Sequence, residues 1–321
     1  MDGLSLIPEK SKIDKEKLAN LLYCNLKDIS IEELVGLLTN KYDQMVEYAE
    51  LYNNEKTCKM LSLLFNPHRL DIKTGNNKES VYSITKKESF AKSIARTTIF
   101  LKKREKANFF YRALEVGTGE VGLANEFPPY IARELSLKHC LDSTSKVLDP
   151  CGGWGGRMIG FSTVVNSYEC YEPSTKTYEG LKKLSVFIKQ FRPEFNATIH
   201  CLPFEDGILV DNNYDFALTS PPYFDTEKYT DEKTNSFIRY PTFDSWSKYF
   251  YLPLISKTMT ALKPQKYFIL NIGDRKYPLS KILKNNFEKV YEIKKLSSFL
   301  AGRGGIRSSE GSEVFWSIKK I

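Results

Sequence analysis

The sequence lacks several features that would place it in particular classes of protein. No apolar run in its 321 residues approaches the roughly 18 needed to cross a membrane. Residues 1–17 mix acidic and basic side chains, so we expect no secretory signal. The six cysteines form no Cys-x-x-Cys pair, and the three histidines do not flank them in a ligand pattern. We therefore expect no membrane, no metal site and no disulfide framework, and reduced thiols in a cytoplasmic protein.

What the chain does contain is enough apolar material for a core, with 41% hydrophobic and 13% aromatic residues. The net charge of +8 is concentrated in residues 86–112, which carry nine Lys or Arg against two Glu. Lys102, Lys103 and Arg104 lie in this stretch among aromatic side chains. Such a pattern is typical of surfaces that bind polyanions. An ordinary solvated helix face is the alternative.

Two different patterns divide the chain into two predicted domains. Residues 1–115 place apolar side chains at helical spacing, which predicts a helical domain with one basic helix and a possible role in target recognition. From about residue 145, short apolar strands alternate with helical stretches, which predicts a parallel sheet covered on both faces. The last two predicted strands have no helix between them, so we expect the final strand to run antiparallel. This second domain spans 116–321, with an insertion at 224–245.

Two glycine clusters compete for the role of a ligand-binding loop. Residues 117–122 match G-x-G-x-x-G, but Pro128 and Pro129 interrupt the helix that should follow them. The second cluster, residues 149–157, connects a clear strand to a clear helix. Its glycines allow the backbone to pass close to a ligand at the carboxyl end of the first strand. We therefore favour the second cluster as the cofactor loop.

Acidic side chains follow three successive predicted strands. Asp149 ends the first strand and Glu172 ends the second, while Glu205 and Asp206 follow the third. Glu172 is placed to accept bonds from two ribose hydroxyls, and an acid after the third strand can accept one from an adenine amino group. This arrangement predicts a nucleoside ligand without a pyrophosphate. Tight strand–helix turns with incidental acids are the alternative.

The fourth predicted strand runs directly into Thr219-Ser220-Pro221-Pro222-Tyr223. With the glycine loop and the acids before it, this motif makes residues 116–321 resemble the S-adenosylmethionine-dependent amino-methyltransferases of DNA. Those enzymes methylate N4 of cytosine or N6 of adenine. The resemblance implies S-adenosylmethionine as cofactor and DNA as partner. It also implies an α/β, Rossmann-like methyltransferase fold whose seven-stranded sheet is mostly parallel with an antiparallel last strand.

The resemblance and the chemistry together assign roles to individual residues. The expected cofactor-binding residues are Phe127, Pro128, Asp149, Pro150, Cys151, Gly153, Gly155, Glu172, Pro173, Glu205, Asp206 and Thr219.

The four residues from Ser220 to Tyr223 are the expected catalytic set. An exocyclic amine is a poor nucleophile because its lone pair is conjugated into the ring. The Ser220 hydroxyl and the Pro221 carbonyl would free that lone pair by accepting hydrogen bonds from the two N–H groups of the amine. Pro221 and Pro222 restrict the backbone and so fix the direction of that carbonyl. Tyr223 offers an aromatic face to a base that has been rotated out of a duplex.

Elements that recognise a target should lie outside the predicted catalytic motifs. Only three residues follow the last predicted strand, so we expect recognition from the N-terminal helices, the insertion 224–245 or the loop 297–312. Arg303 and Arg307 make that loop suited to phosphate contact, although a plain hairpin tip is the alternative.

The function predicted from the sequence is methylation of a flipped DNA base, of the kind found in restriction–modification. Family resemblance favours cytosine N4 over adenine N6 because a serine precedes the two prolines. One alternative is an amino-methyltransferase that acts on RNA. Another is a non-catalytic, cofactor-binding subunit of a larger nucleic-acid modification complex.

Overall fold

The computed structural model describes the chain as two compact units. The described residues are 15–39, 45, 48, 58, 60–74, 79–92, 95, 124, 126–274, 276–296 and 314–321. The N-terminal unit comprises Met1–Glu50, Met60–Asn125 and Glu227–Tyr229; the C-terminal unit comprises Leu51–Lys59, Glu126–Thr226 and Thr230–Ile321. The domain boundary expected after residue 115 lies outside the described residues.

Short helices make up most of the described N-terminal unit. Its elements are the helices α1 Lys15–Leu26, α2 Ile31–Leu38 and α3 Val81–Thr85, with 3-10 helices at Leu61–Leu64 and Pro67–Asp71. Helix α2 begins at a capping box, in which the Ser30 hydroxyl accepts from the Glu33 amide at 3.2 Å and the Glu33 carboxylate accepts from the Ser30 amide at 2.9 Å. The helices bury a core that includes Leu26, Leu34, Leu38, Leu63 and Phe90.

One part of the predicted insertion belongs to this N-terminal unit. Glu227–Lys228 pairs antiparallel with Lys73–Thr74 in a two-stranded sheet. Residues 227–229 therefore pack with the helical unit, although in sequence they begin four residues after Tyr223, the end of the Ser-Pro-Pro-Tyr motif.

The C-terminal unit is built on one seven-stranded sheet. The strands are β1 Lys146–Asp149, β2 Ser167–Tyr171, β3 Asn196–His200, β4 Tyr214–Thr219, β5 Leu262–Ile272, β6 Glu292–Leu296 and β7 Val314–Lys319. Their order across the sheet is β3-β2-β1-β4-β5-β7-β6. The strand pairs are parallel except for β5–β7 and β6–β7, so β7 alone runs against the other six. The predicted sheet, including its antiparallel last strand, is confirmed.

Helices connect the strands and cover the sheet. They are α4 Pro129–Lys138, α5 Gly156–Ser162, α6 Thr175–Lys189, α7 Ser236–Arg239, α8 Phe243–Trp246, α9 Leu252–Ala261 and α10 Leu279–Phe287, with a 3-10 helix at Phe204–Asp206 and a π-helical turn at Ser247–Tyr251. Strand β4 is buried along nearly its whole length, and β5 is buried from Phe268 to Ile272, as expected for the centre of a parallel sheet. Within the described part of the chain, every helix is too short or too polar to cross a bilayer.

The start of β5 differs from the sequence-based expectation. The apolar pattern predicts a strand from Tyr267, after a helix that ends before Pro264, whereas the strand already begins at Leu262. Leu262 pairs with Tyr214, and the register then shifts before the pairing of Phe216 with Tyr267. A proline is tolerated in a strand where the ladder is irregular, and for that reason Pro264 does not mark the strand's start.

Helices α4 and α5 pack against each other at unusually short range. A Cβ atom at Gly160 would lie 2.1 Å from the Pro129 carbonyl oxygen, a backbone atom that cannot rotate away. Gly156, one turn earlier, meets the Phe127 carbonyl oxygen at the same distance. The two glycines therefore bring the segment before the sheet directly onto the first helix after β1.

We predict that Gly160→Ala destabilises the protein because the helices must separate to admit the methyl group. Overpacking of this kind costs about 1–3 kcal/mol or more, which should lower the denaturant midpoint of unfolding. Gly36→Ala is the matched control, since a Cβ there meets nothing within 4 Å. Alanine should stabilise that helical position by up to about 1 kcal/mol. Equal midpoints for Gly160→Ala and the wild type would contradict the tight α4–α5 contact.

Candidate active site

The loop between β1 and α5 has a backbone that requires glycine. Gly153 has a φ of +55° and Gly155 a φ of +96°, both in the left-handed region where a Cβ is disfavoured. A Cβ at Gly155 would also lie 2.5 Å from the Leu184 Cδ2 atom. The Gly152 amide donates to the Tyr171 carbonyl at 2.8 Å, which ties the loop to the end of β2. The glycines thus give this loop its shape and its close approach to the neighbouring strand.

The carboxylate of Asp149, at the end of β1, is completely buried and accepts four hydrogen bonds. Its Oδ2 accepts from Arg157 Nε and from the Tyr168 hydroxyl, both at 2.7 Å. Its Oδ1 accepts from the Thr219 hydroxyl at 2.9 Å and from the Cys151 amide at 3.3 Å. These four donors fill the hydrogen-bonding capacity of the carboxylate, and those from Cys151 and Arg157 tie the loop and the start of α5 to β1.

Arg157 is a site residue that the sequence pattern does not reveal. Its side chain is buried beneath the loop, where it pairs with Asp149 and donates to the Cys151 carbonyl. The guanidinium also lies 5.2 Å from the centre of the Phe127 ring. Phe127 in turn contacts Phe315 of β7 edge-on, with 5.9 Å between ring centroids. The segment before the sheet, which the family resemblance assigns to the cofactor site, is therefore joined to the glycine loop through Arg157.

Residues Phe127 and Pro128 lie beside the first turn of α5. The close approach of the Phe127 carbonyl to Gly156 covers that side of the turn. A side chain at Gly156 would have no room, so the segment before the sheet packs directly on the start of α5.

Glu172 lies at the carboxyl end of β2 and faces the glycine loop. Its Oε2 accepts from the Gly153 amide at 3.0 Å, and its Oε1 accepts from the Ser174 amide at 2.9 Å. Burial raises the pKa of Glu172 to about 7 despite these two backbone donors. Each carboxylate oxygen can accept a second bond, so both retain capacity for a ribose hydroxyl. Pro173 follows at the edge of the same turn and is half-buried.

The two acids after β3 are paired with an arginine from the predicted insertion. Arg239, the last residue of α7, donates to Glu205 at 3.0 Å and to both oxygens of Asp206 at 2.8 and 3.1 Å. Glu205 is nearly buried, with 7% of its side chain exposed, whereas Asp206 is 48% exposed. Burial raises the pKa of Glu205, while Arg239 opposes that change. Of the two carboxylates, Asp206 is the more accessible to a ligand.

The Ser-Pro-Pro-Tyr motif follows β4, the neighbour of β1. Ser220 is half-buried, and Asn271 near the end of β5 donates from Nδ2 to the Ser220 hydroxyl at 3.4 Å. Pro221 is buried and Pro222 half-buried. The half-buried Tyr223 packs its ring against the core of the unit. Asn271 is a second residue that sequence reasoning missed, because it lies 51 residues from Ser220 and only the β4–β5 pairing brings them together.

An aromatic cluster packs around Phe224, the residue that follows the Ser-Pro-Pro-Tyr motif. Phe224 adopts a φ of +53° and contacts the rings of Phe243, Trp246 and Tyr277 with centroid separations of 5.5–6.0 Å. Asp225 accepts from the Tyr277 hydroxyl at 2.7 Å and from the Lys276 ammonium at 2.8 Å. The turn after Tyr223 is therefore held by the loop that follows β5.

The five basic residues expected to contact DNA lie outside the described residues. These are Lys102, Lys103, Arg104, Arg303 and Arg307. Among the described residues, no group of three or more His, Cys, Asp or Glu side chains is arranged to hold a metal ion.

The strand order of the C-terminal unit, with β7 reversed, determines its fold class. The chain has a Rossmann-like methyltransferase fold. No protein-family model and no curated protein sequence matches the chain.

Similar solved structures are methyltransferases of low sequence identity. A tRNA (m1A58) methyltransferase of Aquifex aeolicus is 12% identical, with a TM-score of 0.41 over 61% of this chain and 70% of its own. An S-adenosylmethionine-dependent O-methyltransferase of Thermotoga maritima is 12% identical, with a TM-score of 0.43 over 62% and 67%. A methyltransferase of Pyrococcus furiosus is 15% identical, with a TM-score of 0.40 over 71% and 100%.

The raised pKa of Glu172 predicts a pH-dependent stability. The ordinary pKa of a glutamate is 4.5, and that of Glu172 in the folded protein is about 7. The stabilising contribution of this group is therefore fully present below pH 4.5 and is lost as the pH rises through about 7. Glu172→Gln removes the titration. Relative to this variant, the wild type should lose about 3 kcal/mol of unfolding free energy between pH 4.5 and 8.

Chemical denaturation across that pH range measures the difference. Glu194→Gln, on an exposed loop, is the matched control. A constant difference between the wild type and Glu172→Gln at every pH would show that Glu172 ionises as freely in the folded protein as in the unfolded chain.

Proposed function

We propose that this protein transfers a methyl group from S-adenosylmethionine to the exocyclic amino group of a base in DNA, with cytosine N4 favoured over adenine N6. One observation carries the proposal. The Thr219 hydroxyl accepts from the Cys151 amide of the glycine loop at 3.1 Å and donates to Asp149 at 2.9 Å. The candidate catalytic Ser220 is the next residue. The proposed cofactor loop and the proposed amine-accepting motif follow the neighbouring strands β1 and β4, and this hydrogen bond joins them.

The residues of the C-terminal unit fit a nucleoside cofactor. In this proposal Glu172 accepts the ribose hydroxyls and Asp206 accepts the adenine amino group. Cys151, Gly153 and the neighbouring loop residues pass close to the nucleoside, while Phe127 and Pro128 lie on the methionine side. Asp149 and Thr219 hold the loop rather than contact the ligand, since the Asp149 carboxylate is fully buried and already accepts four bonds.

The acceptor residues would act by orienting the amine and by freeing the nitrogen lone pair from conjugation with the ring. When bound, S-adenosylmethionine supplies an electrophilic methyl carbon attached to a positively charged sulfur. The two N–H groups of the amine would donate hydrogen bonds to the Ser220 hydroxyl and the Pro221 carbonyl, which favours a tetrahedral nitrogen. Asn271 holds the Ser220 hydroxyl through its 3.4 Å contact. Positioning of this kind can supply most of the rate enhancement without a general base.

The proposed acceptor chemistry is the same for DNA and for RNA, so the two substrates are distinguished by experiment. An exocyclic amine of an RNA base makes the same two hydrogen bonds, so RNA is the second candidate substrate. Nucleoside mass spectrometry on DNA and RNA from cells that express the wild type, or Tyr223→Ala, separates the possibilities. N4-methylcytosine or N6-methyladenine in DNA, absent with the variant, is the expected result. Signal in RNA alone would move the activity to RNA, and no signal in either would favour a non-catalytic subunit.

Ser220→Ala should lower the turnover of the purified protein while leaving affinity for S-adenosylhomocysteine unchanged. The variant loses one acceptor for the amine but none of the groups assigned to the cofactor. Removing one such preorganised hydrogen bond from a transition state costs about a hundredfold to a thousandfold in kcat. Steady-state kinetics and calorimetric binding measure the two effects separately.

Ser256→Ala is the control for this experiment. Its hydroxyl donates within α9 to the Pro253 carbonyl at 3.3 Å, and it has no part in the proposed chemistry. Unchanged turnover in Ser220→Ala would remove Ser220 from the proposed mechanism.

A further inference from the structure

The insertion after the Ser-Pro-Pro-Tyr motif is anchored at two places on the C-terminal unit. Glu232 accepts from the amide and hydroxyl of Thr175 at 3.0 and 2.8 Å, at the first turn of α6. Arg239 pairs with Glu205 and Asp206 after β3. Both anchors lie at the edge of the sheet where the strands carry the candidate cofactor residues.

The pairing at Arg239 has the geometry of a fixed clamp. Its Nη1 and Nη2 donate to the two oxygens of Asp206 at 2.8 and 3.1 Å, which is the parallel fork that gives arginine its directional strength. Nη1 also donates to the nearly buried Glu205 at 3.0 Å. A buried carboxylate without a partner is strongly unfavourable, so Glu205 anchors the guanidinium while Asp206 is oriented by it.

A different residue holds the backbone of the same turn. The Lys257 ammonium on α9 donates to the carbonyls of Phe204 and Glu205 at 2.9 and 3.0 Å, and also to the Gly207 carbonyl. The path of the turn therefore does not depend on Arg239. What Arg239 controls is the direction of the two carboxylates, and in particular of the accessible Asp206.

We propose that Arg239 is a positioning residue that determines the selectivity of the cofactor site for an adenine amino group. The inference rests on the proposed function, since it takes the ligand to be an adenine nucleoside. Both oxygens of Asp206 keep a free lone pair after binding Arg239, because a carboxylate oxygen accepts two bonds. The paired hydrogen bonds from Arg239 hold the Asp206 carboxylate in a single orientation, in which these lone pairs would accept from the amine. A 6-oxo purine has no N–H at that position and leaves the carboxylate without its partner.

The test compares two ligands that differ only at this position of the purine. Isothermal titration calorimetry measures the binding of S-adenosylhomocysteine and S-inosylhomocysteine to the full-length wild type and to Arg239→Met. The wild type should prefer the adenine ligand by about tenfold or more, as expected for a hydrogen bond to a charged group. In Arg239→Met this preference should fall close to one. In Arg239→Lys, which keeps the charge but cannot form the fork, it should be intermediate.

Two controls separate the clamp from general loosening of the site. Glu232→Gln weakens the other anchor of the insertion and should leave the preference as in the wild type. Glu172→Gln should weaken both ligands equally, because they share the ribose. An unchanged preference in both Arg239 variants, or an equal loss in Glu232→Gln, would overturn the inference while S-adenosylhomocysteine still binds. No binding of S-adenosylhomocysteine to the wild type would instead overturn the proposed function, and this inference with it.

Discussion

The buried carboxylate of Asp149 is the constraint on which the rest of the candidate site depends. A charge inside the protein is stable only when its hydrogen-bonding capacity is filled, and removing one partner is costly. The four partners come from four different elements: Tyr168 from β2, Cys151 from the loop, Arg157 from α5 and Thr219 from β4. One side chain therefore fixes where the glycine loop lies relative to the Ser-Pro-Pro-Tyr motif.

A second set of charges ties the insertion to the turns that follow β2 and β3. Arg239 and Glu232, both from the insertion, bind to groups at the ends of β3 and β2. A segment that follows the proposed acceptor motif in sequence thus returns to the proposed cofactor residues in space. A methyl transfer requires the cofactor and the acceptor base to be held side by side. The insertion begins after the proposed acceptor motif, and its charged side chains bind next to the proposed cofactor residues, so it connects the two proposed positions.

Much of the C-terminal fold follows from local patterns in the sequence. Apolar segments that alternate with helical patterns in the sequence predict parallel strands, and the lack of a helical pattern between the last two predicted strands predicts the reversal of the final one, which the sheet order confirms. The start of β5 was not predictable in this way. Its first residue, Leu262, pairs with Tyr214 before a register shift, and Pro264 lies in this irregular part of the ladder.

The sequence by itself determined which residues collect at one edge of the sheet, because parallel strands all end on the same side. That rule brings Asp149, Glu172 and Ser220 together without any knowledge of packing. Only the tertiary structure decided what each group does there. Asp149 is filled by internal partners and Asp206 is oriented by Arg239, from 33 residues away. Hydrogen bonds depend on the distance between atoms in space, and no local sequence pattern indicates that two residues far apart in the chain will come into contact.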